Sequence, residues 1–155
     1  MDALYRAHAA EALRLGYLLT GDRALAEDLV QGAFVRVLGR FHDLRNRDAF
    51  WWYLRRTIVN LSTSYFRRRA VERAWLARQR PDEAAPAPQD LAERDRLRTA
   101  LMTLRPEQRA AIVLRFYEDL SEADTAEALG VPLGTVKSTV SRGLERLRHK
   151  LPEEA

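Results

Sequence analysis

The stretch from Leu120 to Arg148 restricts the architecture of this chain more than any other. Ser121, followed three residues later by Asp124, can open a short helix, because side-chain oxygens there accept from the free N–H groups of a first turn. Gly130 permits the left-handed backbone that ends such a helix after Leu129. Pro132 suits the first turn of a second helix, where its missing N–H breaks no bond. Val136, Val140, Leu144 and Leu147 then recur at helical spacing and predict a buried side. The other side carries Thr135, Lys137, Ser138, Ser141, Arg142, Arg146 and Arg148, donors and cations suited to base edges and phosphates. Ala126 is small enough to let the two helices cross closely. This combination reads as a helix-turn-helix. The plainer alternative is a helical hairpin whose last helix has a solvated basic face.

The rest of the chain shows the same period. Ala3 to Leu19 predicts a helix with Leu4, His8, Ala12, Leu15 and Leu19 on one face, and His8 is expected to be packed there rather than to act as a ligand. Asp22 should cap a second helix, Arg23 to Arg40, built on Ala26, Leu29, Val30, Ala33, Phe34, Val37 and Leu38. Its polar face holds Glu27, Asp28, Gln31 and Arg36, which are either solvent contacts or a docking surface. With 46% hydrophobic and 31% charged residues in 155, the chain can bury a core in one domain or two small ones. A net charge of +4 favours a polyanionic partner. Having no cysteine, the chain can form no disulfide, thiolate metal site or cysteine nucleophile. No stretch approaches the ~20 apolar residues that span a bilayer, and a cytoplasmic location is expected.

After the polar loop Phe41 to Arg47, which ends at the candidate cap Asp48, a helix from Ala49 to Arg69 is dense in both aromatics and arginines. Trp51, Leu54, Ile58, Leu61 and Tyr65 fit one buried stripe, leaving Trp52, Tyr53 and Phe66 off it. Aromatic rings interleaved with Arg55, Arg56 and Arg67 to Arg69 suit single-stranded nucleic acid, at ~1–3 kcal/mol per stacked base. A core helix with a basic rim would use the same residues. From Glu72 to Asp90 the proline and alanine content predicts a flexible linker. Two small all-α domains are therefore expected, residues 1–70 and 91–151, joined by residues 71–90. The second starts with Leu97, Leu101 and Leu104 on one face, then a helix from Pro106 to Glu118 on Ala110, Val113, Leu114 and Tyr117. Neither metal-ligand spacing, nor a glycine-rich phosphate loop, nor a nucleophile triad is present, so neither catalysis nor a cofactor is expected.

Several of these strings together resemble a known family. They are Ala26-Glu-Asp-Leu-Val-Gln31 with Phe34, then Phe50, Leu54 and Asn60, then Leu104-Arg-Pro-Glu-Gln-Arg109, Leu114-Arg-Phe-Tyr117, Leu129-Gly130 and Gly134-Thr-Val-Lys-Ser138. In this order and at these distances the chain resembles a bacterial sigma factor of the small extracytoplasmic-function class, which keeps only sigma regions 2 and 4. Arg55-Arg-Thr-Ile-Val-Asn60 and Leu19-Thr-Gly-Asp22 are most similar to the form common in actinobacteria.

The resemblance implies partners and roles. Glu27, Asp28, Gln31 and Arg36 would dock on the β′ clamp helices of RNA polymerase core, and region 4 on the β flap. The loop His42 to Asp48, including Arg45 and Asn46, would capture a base flipped from the minus-ten element together with Asn60; Trp52, Arg56 and Arg67 would hold the opened strand. Thr135, Lys137, Ser138, Ser141 and Arg142 would read the minus-thirty-five element in the major groove. An anti-sigma factor is a further possible partner, and the free chain is expected to be a monomer. Thr125 stands where the family commonly has isoleucine, and Thr139 where a basic residue is frequent, whereas Pro132 is often present. The alternative is a stand-alone helix-turn-helix regulator whose N-terminal half dimerises or senses a ligand.

Overall fold

The computed structural model describes residues 2–40, 47–79 and 96–150, and every element among them is helical. Helices α1 (Asp2–Thr20), α2 (Arg23–Arg40) and α3 (Arg47–Gln79) pack against one another as a three-helix body. The α1–α2 turn is set by Gly21 at φ 68°, and the Asp22 carboxylate accepts from the Leu25 N–H at 3.2 Å, the cap expected from sequence. His8 is packed as expected, its ring stacked on Trp51 at 5.5 Å.

The second half comprises α4 (Arg96–Met102), α5 (Pro106–Ile112), a π-helical stretch Val113–Tyr117, α6 (Glu122–Leu129) and α7 (Leu133–Lys150). The helix-turn-helix forms as its residues dictate. The Ser121 hydroxyl accepts from Asp124 N–H at 3.0 Å, and Gly130 closes α6 at φ 68°. Pro132 sits just outside α7, its carbonyl accepting from Thr135 and Val136. Thr125 is fully buried and donates to the Ser121 carbonyl at 2.8 Å, so its hydroxyl is satisfied within its own helix. α7 also approaches α5 closely at Gly143, where a Cβ would stand 2.5 Å from the Ile112 Cδ1.

Four expectations are corrected. Helix α3 continues ten residues past Arg69, so 72–79 are helical; the remaining linker residues 80–90 lie outside the described residues. Its buried side is Phe50, Leu54, Ile58 and Val59, with Trp51, Leu61 and Tyr65 only half-buried. Phe66 is not open: the Arg109 guanidinium lies over its ring at 4.6 Å. Tyr117 is half exposed, because the π-helical stretch widens the turn and rotates it out of the face that buries Val113 and Leu114.

One core runs through both halves. Ala110, Val113, Leu114 and Ala128 share it with Ala12, Leu15, Phe34, Phe50, Leu54 and Ile58. Two arginines reinforce this junction. Arg109, 2% exposed, donates from Nε to the Leu19 carbonyl at 2.7 Å and from its Nη1 to the Leu104 carbonyl at 3.2 Å. Burial holds its pKa down to about 10, partly offset by Glu107, so it remains charged at neutral pH. Arg55 crosses from α3 to Glu118 at 3.6 Å and covers the Trp51 and Trp52 rings.

Candidate nucleic-acid and polymerase interface

On α7, the apolar side (Val136 and Leu147 buried, Val140 and Leu144 half-buried) rests on α5 and α6. Thr135, Lys137, Ser138, Ser141 and Arg142 are all exposed on the remaining surface. Hydroxyls and cations on one solvent-facing helix can donate to phosphates and to base edges in a groove wide enough for a helix. Thr139, half-buried, borders the same surface.

The α3 residues divide. Asn60 and Arg67 are exposed and Arg56 is half-buried, whereas Trp52 packs against the core and beneath Arg55, 5.3 Å from its ring. The open ring is Tyr53, 41% exposed. Arg45 and Asn46 lie outside the described residues. A cavity of about 320 Å³ between α2 and α3 is lined by Arg36, Arg40, Tyr53, Thr57, Asn60 and Ser64, with Val37 and Leu61 supplying aliphatic wall. It combines an aromatic plane, amide and hydroxyl hydrogen-bonding groups and two cations, a chemistry suited to one unstacked nucleotide. Of Arg36, Glu27, Asp28 and Gln31, all exposed on α2, Arg36 lines this cavity and the other three do not. Tyr53 was among the aromatics that the sequence placed off the buried stripe, and it shares a face of α3 with Asn60; Arg40 was missed, because only the packing of α2 against α3 brings it to them.

A second groove, about 250 Å³, lies between the halves and is bounded by Asn60, Ser64 and Arg67 of α3 and Thr135 and Thr139 of α7. At its edge the Arg67 guanidinium meets Glu107 at 2.8 Å. Burial raises the Glu107 carboxyl, but the hydrogen bond from Arg67, its own backbone N–H and the nearby Arg67 and Arg105 charges bring it below its ordinary value. Glu118 moves the other way. Burial pushes it above the usual carboxylate value against the pull of Arg55, with Glu11 adding to the rise. Among the described residues no acidic or histidine cluster could hold a metal ion.

Both halves that carry these surfaces match profiles of known protein families. The profile described as "Sigma-70 region 2" matches residues 4–72, and that described as "Sigma-70, region 4" matches residues 94–147. The chain belongs to the sigma-70 family of sigma factors. Within it, the chain is 37% identical to the RNA polymerase sigma-E factor of Streptomyces coelicolor over 139 residues, spanning 90% of this chain and 78% of that protein. It is 37% identical over 163 residues to the ECF RNA polymerase sigma factor SigE of Mycolicibacterium smegmatis, covering 99% of this chain and 62% of the relative. These relatives make it an extracytoplasmic-function sigma factor most like the actinobacterial forms, a polymerase-associated protein that directs transcription initiation at promoters. In fold it is similar to the sigma factor RpoE of Bartonella quintana, solved with the anti-sigma factor NepR, with TM-score 0.71, 22% identity and coverage of 99% and 98% of the two chains. Sigma factors are non-enzymatic regulators, and no described helix is long and apolar enough to cross a membrane.

Proposed function

We propose that this sigma factor divides promoter reading between two surfaces, catalyses nothing itself and works in the cytoplasm. Exposed Thr135, Lys137, Ser138, Ser141 and Arg142 on α7 read the minus-thirty-five element. The cavity of Tyr53, Asn60, Arg36 and Arg40 takes a base flipped from the minus-ten element, with Arg56 and Arg67 beside it on the strand and the Arg45–Asn46 loop contributing from outside the described residues. Glu27, Asp28 and Gln31 dock on the β′ clamp helices, region 4 on the β flap, and Arg36 passes from the docking set to the strand-binding set. The observation that carries this reading is the cavity inside the residues that match region 2, which brings the Tyr53 ring, the Asn60 amide and two arginines together.

By their positions, minus ten and minus thirty-five, the two elements lie about 25 base pairs apart, or about 85 Å at ~3.4 Å per pair. Asn60 and Thr135 line one small groove in the packed chain, so both elements are read only after the halves separate. The stand-alone regulator is disfavoured because residues 4–72 match region 2 rather than a sensing module. Co-elution with core polymerase tests the reading. Asp28→Ala with Gln31→Ala should weaken core binding at unchanged thermal stability, and an unchanged affinity for core would contradict the docking assignment.

A further inference from the structure

A larger cavity, about 610 Å³, lies where α1 and the start of α2 meet α4 and the π-helical stretch, and it shares no lining residue with the two described above. Its volume falls within the roughly 300–1,000 Å³ of small-ligand sites. Leu13, Leu18 and Ala26 supply apolar wall, and Tyr17 and Tyr117 supply rings. The rest of the lining is charged, with Arg14, Arg23 and Arg98 set against the single carboxylate of Glu27. Neither Arg14 nor Arg23 has a carboxylate at ion-pair distance among the described residues. Like charges gathered without counter-charges repel one another in the packed form, and an anion between them relieves that repulsion. Arg98 is half-buried; its guanidinium lies 5.4 Å over the Tyr17 ring and donates to the Tyr17 hydroxyl, joining α4 to α1 at the cavity. Tyr117 reaches it because the π-helical stretch turns that residue out of the core, and such interruptions in helices recur at functional sites.

We propose that this cavity binds a small amphipathic anion, its charged head met by Arg14, Arg23 and Arg98 and its acyl or aromatic body by Leu13, Leu18 and Tyr117, and that the bound molecule holds the halves together against core polymerase. The head follows from charge, since three guanidinium groups face one carboxylate. The body follows from the leucine and tyrosine walls, which a bare inorganic anion would leave uncovered. The regulatory consequence follows from position. Leu13, Arg14, Leu18 and Arg23 belong to one half and Arg98 and Tyr117 to the other, so the complete site exists only while the halves are packed. A ligand that binds only the packed form draws the chain toward it in proportion to its concentration over its dissociation constant. Glu27 stands in the same wall, so an occupant also covers part of the face assigned to the clamp helices. Ligand binding is independent of the sigma reading, whereas the exclusion of core rests on it.

The test uses the full chain and the fluorescent probe anilinonaphthalene sulfonate, an aromatic body with one anionic head. Two controls separate its parts: phenylnaphthylamine is the same body without the head, and inorganic phosphate is a head without the body. The sulfonate should bind the native chain with a single saturable site and raise its melting temperature, phenylnaphthylamine should bind at least about tenfold more weakly, and phosphate should not displace the sulfonate at equal concentration. Arg14→Ala with Arg23→Ala, both exposed in the native chain, should weaken the sulfonate about tenfold or more without changing the melting temperature of the unliganded chain. Affinity for immobilised core polymerase is then measured with and without the sulfonate at about ten times its dissociation constant. The native chain should lose roughly tenfold in core affinity, and the double variant, which keeps its core affinity, should lose almost none. Equal sulfonate binding by the native chain and the variant, or equal binding of the headless probe, overturns the site. Site-specific binding that leaves the native chain's core affinity unchanged overturns its regulatory role and leaves the sigma reading intact. A native chain that fails to bind core without any probe overturns the sigma reading, while the fluorescence titration still decides the site.

Discussion

Arg55 and Glu118 are each about nine-tenths covered, yet at 3.6 Å their ion pair leaves the Arg55 Nε and the Glu118 Oε1 without partners. Burial raises the Glu118 carboxyl above its unfolded value, so the folded chain binds more protons than the unfolded one in the window above about pH 4.5. Stability contributed through Glu118 therefore falls as pH rises across that window. Removing Arg55 takes away the influence that holds Glu118 down and widens the window upward. Arg55→Ala should destabilise the chain by about 3 kcal/mol at pH 7, and by clearly less at pH 5, where Glu118 can take a proton. Urea denaturation at both values, with Arg55→Met as a control that keeps the side-chain stem over the tryptophans, checks this; equal losses at both would contradict it. Sequence alone grouped Arg55 with Arg56 as strand contacts, because the Glu118 that captures it is 63 positions away, beyond the reach of any local pattern.

At the scale of elements, α7 is the most predictable unit, because its apolar side, Gly130 and Ser121 are all specified within about thirty residues. Replacing Arg142 or Lys137 with alanine should lower promoter occupancy and reduce the salt slope by about one unit for each phosphate no longer neutralised. A slope that does not change in filter binding over a salt series would remove that residue from the phosphates. The same local logic found α1, α2, their cap and the packed His8. It failed at the end of α3. Prolines and alanines marked the segment as linker, but the first proline is Pro81, and Ala70, Ala74 and Ala77 are strong helix formers. It failed also at Tyr117, since a π-helical stretch shifts the periodicity on which the assignment rested.

For the whole molecule, the shared core is what sequence could not show, because Leu114 and Ala128 fill the core of their own half by pattern and reach Leu54 and Ile58 only through tertiary packing. That core places the surfaces proposed for the minus-ten and minus-thirty-five elements against each other, so in the proposed account binding core polymerase and promoter exchanges one set of contacts for another. With no native cysteine, Ser64→Cys and Thr139→Cys can be spin-labelled without background. The pair, which lines one groove, should give a short distance in the free chain and one several-fold longer in the polymerase–promoter complex; an unchanged distance would contradict separation. The central claim, that this chain confers promoter choice on polymerase, is tested most directly by run-off transcription with purified core enzyme lacking its own specificity subunit, with start sites mapped on genomic template. Discrete starts at fixed distance from paired upstream elements, present only when this chain is added, are the predicted result; no specific starts with chain that co-elutes with core would contradict it.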